Sequence, residues 1–176
     1  MGIAINNLTA FHTHVTALLY QGRSRVKNIQ IVGSASAGTF HLWDSTSAPT
    51  SATYARSGTT ITVTSNAHGL KTGDVVGIHF DDNGSGAAGT TGNYAITVTG
   101  ANTFTLTDLN SGTISAGEDC LYVSNGGRWV FSKESPASDI FANNIDLGNG
   151  GILCTQGLYA SLDNIASANI LVIAGG

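Results

Sequence analysis

The residues of this chain that could do chemistry are few and scattered. His68 precedes Gly69 and Leu70 in a turn-like segment, and Asp74 follows Gly73 shortly afterwards. A histidine could serve as a metal ligand or a general base, but both roles need partner groups that the local sequence lacks. We therefore expect His68 to pack its ring in the turn and to bond a backbone carbonyl. Asp74 is expected to accept hydrogen bonds from turn N–H groups.

Two other patterns could bind a metal ion. His12 and His14 lie two residues apart and would share one face of a strand, but a third ligand is not close in sequence. The segment 81–84, Asp-Asp-Asn-Gly, superficially matches a calcium loop, but the closing glutamate of that loop is replaced by Gly92. We expect no metal and no cofactor. If His12 and His14 pack at an interface, assembly would depend on pH.

Support for catalysis is equally sparse. The serines occur in no G-x-S-x-G elbow, and the Gly-rich segment 84–92 lacks the Gly-Lys-Ser/Thr of a phosphate-binding loop. A glycosidase needs two carboxylates on either side of the scissile bond, and nothing in the sequence selects a pair. We expect no catalytic residue and a protein that is not an enzyme. The carboxylates that could form such a pair are Asp81, Asp82, Asp108, Glu118 and Asp119.

The composition indicates a folded protein with an unusually uncharged surface. Charged residues make up 10% of the 176 residues, against about 25% in an average soluble protein. Hydrophobic content is 41% and the net charge is −4, which argues against a disordered chain. The only basic cluster, Arg23, Arg25 and Lys27, is typical of one solvated strand face, so no nucleic acid is expected. No apolar run approaches the ~18 residues that cross a bilayer, so no membrane partner is expected.

Hydrophobic periodicity predicts strands along most of the chain. The segment 25–32 and the segment 39–44 alternate with period two and are separated by a small-residue turn, which predicts a hairpin. Leu8–Tyr20 is ambiguous, because its apolar residues fit both a helix and a strand. The predicted fold class is all-β: a jelly-roll-like β-sandwich with a possible short N-terminal helix.

The middle of the chain differs from its ends in residue composition and in the length of its predicted strands. Short Thr-rich strands and Gly-rich turns dominate 57–124, which predicts a small β-barrel-like module inserted into the sandwich formed by 1–56 plus 125–176. Cys120 and Cys154 fall in different parts of this division. Cys154 lies in an apolar run and is expected to be a buried thiol. A single disulfide between Cys120 and Cys154 is the alternative.

The aromatic residues outside the module suggest where partners bind. Tryptophan and large apolar side chains are enriched where proteins meet, and exposed Trp or Tyr would also form a sugar-binding platform. Trp43, Tyr54, Trp129, Phe131 and Tyr159 are the aromatic candidates for such a platform. The residues predicted to lie at an interface are Trp43, Trp129, Phe131, Ile170 and Val172.

Residues 57–110 resemble a small β-module that is repeated in phage tail and fibre proteins. The resemblance is carried by Gly58–Thr64 (GTTITVT), His68–Leu70 (HGL) and Gly73–Val76 (GDVV), followed by Gly92–Tyr94 and Thr103–Leu106. The flanks are similar to short phage virion proteins of unassigned position, through a hairpin-like segment 26–44 and the ending 157–176. The resemblance implies a subunit of a phage particle and does not distinguish head from tail.

Together these observations predict a structural protein of a tailed-phage virion. We expect it to be made in the host cytoplasm and carried on the particle exterior, as a capsid decoration (cement) protein in the first place and as a tail accessory, connector or fibre-associated protein in the second. The expected partners are copies of itself, in a trimer or higher cyclic oligomer that buries the Ile/Leu-rich C-terminal strand, and major capsid or tail proteins. A carbohydrate-binding module that recognises a host surface glycan is the alternative of another class.

Overall fold

The alternating pattern is realised as fourteen strands in the residues that a computed structural model describes, 8–81 and 87–174. The all-β fold is confirmed. These residues contain no helix, and therefore none that is long and apolar enough to cross a membrane. The helical alternative for Leu8–Tyr20 is wrong, because this segment forms strands β1 (Leu8–Thr13) and β2 (Ala17–Gln21). Its β-branched residues favour the extended backbone, and strand pairing supplies the hydrogen bonds that a helix would have made.

Residues 8–48 and 130–174 make up one compact unit, which we call the sandwich. It contains β1 and β2 together with β3 (Ser24–Gly33), β4 (Gly38–Asp44), β11 (Ala142–Asp146), β12 (Ile152–Cys154), β13 (Gly157–Asp163) and β14 (Ile165–Ala174). It also contains all but the first two residues of β10 (Arg128–Ser135).

The sandwich strands form two antiparallel sheets. Sheet one has the order β1-β14-β3-β11, with β12 also paired to β3, and sheet two has the order β10-β4-β13-β2. The predicted hairpin of 25–32 with 39–44 is wrong, because β3 belongs to sheet one and β4 to sheet two. The chain crosses between layers at the small-residue turn, and a strand pattern alone does not distinguish this crossing from a hairpin.

The inward faces of the two sheets share one core. Ile29, Ile31 and Ile170 of sheet one pack in the same cluster as Phe40 and Leu158 of sheet two, and all five are fully buried. At about 1.5–3 kcal/mol for each large side chain taken out of water, this cluster is the main stabilising term of the sandwich.

The second unit, Pro49–Trp129, is called the module below. It contains β5 (Thr50–Thr64), β6 (Val75–Phe80), β7 (Gly92–Ala95), β8 (Thr97–Gly100) and β9 (Thr103–Val123). The long strands β5 and β9 pair along most of their length, from Thr50 opposite Tyr122 to Thr64 opposite Thr103. The unit begins at Pro49 rather than near residue 57 because β5 is continuous from Thr50.

The module is a rolled sheet, and its described strands form no closed barrel. Strand β6 pairs with one end of β9, β8 pairs with the other end, and β7 pairs with β6. The roll encloses its own core, in which Tyr54, Ile61, Ile78 and Phe104 have almost no contact with solvent. Glycine is required on β6, since a Cβ at Gly77 would lie 2.1 Å from the backbone nitrogen of Trp129.

Candidate functional site

His68 fastens the turn that follows β5. Its Nε2–H donates to the carbonyl of Gly100 at 3.1 Å, and its Nδ1 accepts the N–H of Leu70 at 3.0 Å. The ring also packs edge-on against Phe104. Both ring nitrogens are thus engaged, with the proton on Nε2, and they connect the turn to the end of β8. The expected structural role of His68 is confirmed.

The rest of this turn is held in the same way by side chains that accept backbone N–H groups. The Asp74 carboxylate accepts from Lys71 N–H at 2.8 Å, as expected from the sequence, and Asn102 Oδ1 accepts from Ala67 N–H at 2.8 Å. Gly69 adopts φ +66°, a left-handed conformation that costs glycine little. The His-Gly-Leu and Gly-Asp motifs therefore specify a turn, and the shallow groove beside it is lined mainly by apolar atoms.

A buried ion pair lies where β5 and β9 bend. Arg56 Nη2 is 3.1 Å from Asp108 Oδ2. Arg56 also donates to the carbonyls of Gly58, Ala87, Ala88 and Asn110. Asp108 accepts the N–H groups of Thr90 and Asn110. Both charges therefore hold the segment 87–90 against the two long strands.

His79, Asp81 and Thr91 form a second polar chain. His79 Nε2 lies 3.3 Å from Asp81 Oδ1, and His79 Nδ1 lies 3.0 Å from Thr91 Oγ1. A carboxylate, an imidazole and a hydroxyl in this order can activate a nucleophile. Here the Thr91 hydroxyl also accepts the N–H of Phe80, which ties it to the backbone of β6. These contacts join the two segments that flank residues 82–90. Sequence patterns do not reveal them, because His79 and Asp81 are ten or more residues from Thr91.

In the sandwich, Asp44 binds the backbone of a turn in a similar way. Its fully buried carboxylate accepts the N–H groups of Thr155, Gln156 and Gly157, and also the Thr155 hydroxyl at 3.0 Å. Backbone donors that converge on a carboxylate stabilise its charge in a buried position. Asp44 therefore holds the turn between β12 and β13 against the end of β4.

Of the two patterns considered for metal binding, the histidine pair lies in the described residues. His12 and His14 lie with ring centroids 6.2 Å apart, and His12 Nδ1 donates to Asn169 Oδ1 at 2.7 Å. Asn169 in turn donates to Gln30, so that His12 ends a row of amides across sheet one. Within 8–81 and 87–174, His, Cys, Asp and Glu side chains form no group of three that could hold a metal ion. The calcium-loop residues 82–84 lie outside the described residues.

Most of the carboxylates considered for glycosidase chemistry have contacts that hold the fold together. Asp108 is paired with Arg56, and Asp81 with His79. Asp119 lies on β9, where its carbonyl accepts the N–H of Asp81. Glu118 pairs with Tyr54 in the β5–β9 register, and Asp82 lies outside the described residues. The described geometry thus selects no pair of catalytic carboxylates.

The two cysteines are free thiols in separate cores, Cys120 in that of the module and Cys154 in that of the sandwich. The disulfide alternative is wrong for this structure. Burial raises the pKa of the Cys120 thiol to about 12, with a further contribution from the nearby charges of Asp81 and Asp119. A thiol with this pKa carries little thiolate and is a poor nucleophile.

Two cations of the basic cluster bind the turn between β11 and β12. Arg25 donates to the carbonyl of Gly150 at 2.6 Å, and Lys27 donates to the carbonyl of Asn149. Arg25 and Lys27 lie two residues apart on β3 and are half-buried, and both contacts join β3 to the turn that precedes β12.

Three of the five predicted interface residues are core residues. Trp43, Ile170 and Val172 are fully buried, so they present no surface to a partner, whereas Trp129 and Phe131 are half-buried. The C-terminal strand β14 lies between β1 and β3, so neither of its edges is open to another subunit.

Trp43 Nε1 and Ser24 Oγ have no hydrogen-bond partner among the described residues. Burial of Trp43 and Tyr54 also removes two of the five aromatics from any sugar-binding platform.

The apolar side chains that do reach solvent are ones that the sequence did not single out. In the module, Leu109 is 97% exposed on β9. In the sandwich, the consecutive residues Ile140 and Phe141 are 66% and 76% exposed in the connection between β10 and β11. That connection is fastened by Asp139, which accepts from Asn143 Nδ2 at 2.7 Å. The other large apolar side chains with high exposure are Leu8, Val15, Leu18 and Val75.

Comparisons with known proteins identify no family. No family model matches the chain, and no curated protein matches it. Among solved structures, the phage phi92 endosialidase matches over 82% of this chain, with 20% sequence identity and a TM-score of 0.29. The chain covers 21% of that protein, and a similarity with this TM-score supports no conclusion about fold or function.

Proposed function

We propose that this chain is a non-catalytic structural subunit of a tailed-phage particle. The observation that carries the proposal is the exposure of large apolar side chains on a surface with few charges. In the part of the chain that the structure describes, seven such side chains are at least 40% exposed, among them Leu109, Ile140 and Phe141. Removing apolar surface from water stabilises an assembly by about 25 cal/mol per Å², and few charged groups must be desolvated in the process.

The use of the chain's reactive groups supports the same proposal. Arg56, Asp108 and Asp44 are buried, and His68 has both ring nitrogens engaged. Each of these groups bonds backbone atoms of a turn or loop, which stabilises the scaffold. A structural subunit needs this kind of internal fastening, whereas an enzyme needs such groups to converge on a cleft. The sequence resemblance of 57–110 and of the flanks to phage virion proteins provides the biological setting.

For the place in the particle, we propose decoration of the capsid exterior first. A tail accessory, connector or fibre-associated position is the second candidate. The proposed partners are the major capsid or tail proteins and other copies of this chain.

Purified particles from cells that carry the gene provide the test. Mass spectrometry should find the chain in particles, in many copies per particle, and immunogold labelling should place it on heads rather than tails. Labelling confined to tails would favour the second candidate. A chain that is abundant in the lysate but missing from purified particles would contradict the structural role altogether.

The carbohydrate-binding alternative has a separate test. Trp129, Phe131 and Tyr159 are the half-exposed members of the predicted aromatic platform. Binding to a glycan array that is lost in Trp129→Ala, and retained in the control Tyr20→Ala, would support this alternative. We expect the wild-type chain to bind no glycan on such an array.

A further inference from the structure

Strand β1 is an edge strand that lacks the features by which sheets normally prevent further pairing. Among the described residues it pairs only with β14, so its second edge is open. Natural edge strands are usually protected by lysine, proline, a bulge or a short length. The six residues Leu8–Thr13 contain no charge and no proline, and their register with β14 is regular.

The other described edges of the sandwich are protected. Strand β10 carries Arg128, Lys133 and Glu134, and β11 carries Asp146. Strand β2 is uncharged, but its pairing with β13 shifts register at Leu158, and β12 has only three residues. Strand β1 is therefore the longest regular edge without a charge in the sandwich.

Two of the three outward side chains of β1, Leu8 and Ala10, are apolar, and the third is His12. Leu8 lies opposite Ile173, and Ala10 lies opposite Leu171, in the antiparallel register of β1 and β14. These four residues form a continuous patch on the outer face of sheet one, because directly opposed side chains in a sheet are close neighbours. On the inner face, Phe11 packs partly against the core.

We propose that β1 pairs antiparallel with β1 of a second copy, so that sheet one continues through the dimer. The inference deepens the proposed structural role by naming the partner of this edge. A two-fold axis at Ala10 sets Ala10 against its own copy, Thr9 against Phe11 of the partner, and Leu8 against His12 of the partner. This register keeps inward side chains on the inward face of both copies. It brings no formal charges into opposition and joins the two apolar patches at the axis.

A charge placed on the axis tests the pairing. In Ala10→Lys, two ammonium groups would face each other across the axis, and like charges in an interface cost enough to raise the dissociation constant about 100-fold. Ala10 is exposed, so the substitution should leave the fold intact, as circular dichroism would check. Ala142→Lys is the matched control, because Ala142 is exposed on the edge strand β11 at the other side of the same sheet.

Light scattering over a dilution series should give a dimer for the wild type and for Ala142→Lys, and a monomer for Ala10→Lys. A second variant, Ala10→Cys, should form a disulfide-linked dimer under mild oxidation, since facing residues of antiparallel strands are within disulfide range. Ala142→Cys should not. Cys120 and Cys154 are buried and give little background.

A wild type that is monomeric at every concentration, an Ala10→Lys variant with the wild-type mass, or equal cross-linking of both cysteine variants would each overturn the pairing. These outcomes are independent of the test of function. A β1-paired dimer that is missing from particles would contradict the structural role and leave the pairing standing, whereas a monomer found in particles would do the reverse.

Discussion

Asp108 faces Arg56 between the two longest strands of the module, and neither charge has appreciable contact with water. Removing one partner leaves a buried charge without its counter-ion, which typically costs 3–5 kcal/mol. We expect Arg56→Met to lower the free energy of unfolding of the module by about this amount. Native-state hydrogen exchange of peptides from 50–64 and 103–123 would measure the change separately from the sandwich.

Lys71→Met is the matched control for Arg56→Met, since it removes an exposed positive charge from the same unit. Its protection against exchange should equal that of the wild type. If Arg56→Met were as well protected as Lys71→Met, the ion pair would have no part in holding the module together.

The same ion pair predicts that the stability of the module decreases at low pH. Burial raises the pKa of Asp108, but the hydrogen bonds from Thr90 and Asn110 and the charge of Arg56 together lower it below the ordinary value of 3.8. A carboxyl whose pKa is lower in the folded state stabilises the fold above its unfolded pKa, and this contribution is lost as the pH falls through the folded pKa. Protection of the module should therefore decrease below about pH 4. In Asp108→Asn this part of the decrease should be absent.

Two substitutions of His68 separate the contributions that its two hydrogen bonds make to stability. In His68→Asn, the amide oxygen can replace Nδ1 as the acceptor for Leu70 N–H, but the donor to the Gly100 carbonyl and the ring contact with Phe104 are lost. In His68→Ala all three are lost, and each unsatisfied buried group costs about 1–3 kcal/mol. We expect melting temperatures in the order wild type, His68→Asn, His68→Ala. Equal values for wild type and His68→Ala would show that the turn does not depend on this side chain.

Asp44 makes a parallel prediction for the sandwich. Asp44→Asn replaces one acceptor oxygen by an NH2 group that faces backbone donors, and hydrogen bonds to a charged group contribute about 1.5–3 kcal/mol each. Urea unfolding, followed by the fluorescence of the buried Trp43, should give a lower midpoint. Asp163→Asn, at an exposed position, is the control and should unfold like the wild type.

The thiols should be unreactive in the folded protein. Cys120 and Cys154 are fully buried, and the pKa of Cys120 is raised to about 12. At pH 8 an aromatic disulfide reagent should therefore modify neither thiol until denaturant is added, and then both. Rapid modification of either thiol in the native protein would mean that its core opens readily.

Local features of this protein could be predicted from its sequence, and pairings between distant segments could not. Alternation in Thr59–Thr64 gives the strand, and the neighbourhood of Gly69 gives the structural role of His68, because both depend on adjacent residues. Alternation is the same whether β3 pairs with β4 or crosses to the other sheet. It also cannot tell a core Trp43 from a tryptophan at an interface, since both need an apolar residue at that position.

The buried ion pair was missed for a related reason. Arg56 and Asp108 lie on different strands, and the pattern around each predicts only an extended backbone. The β5–β9 register brings them together, and that register follows from two bulges, near Tyr54 and Gly58, that no sequence period reports. Asp108 was accordingly grouped with possible catalytic carboxylates, although its neighbours hold it in a structural role.

The segment of the module from Thr50 to Tyr122 has neighbouring ends, because these two residues are cross-strand partners. Genetic exchange would therefore have to match only two adjacent backbone positions in order to replace this module by another of different sequence. If the chain is the particle subunit proposed above, recombination at these two positions would change what the particle displays and leave the residues of the sandwich core unchanged.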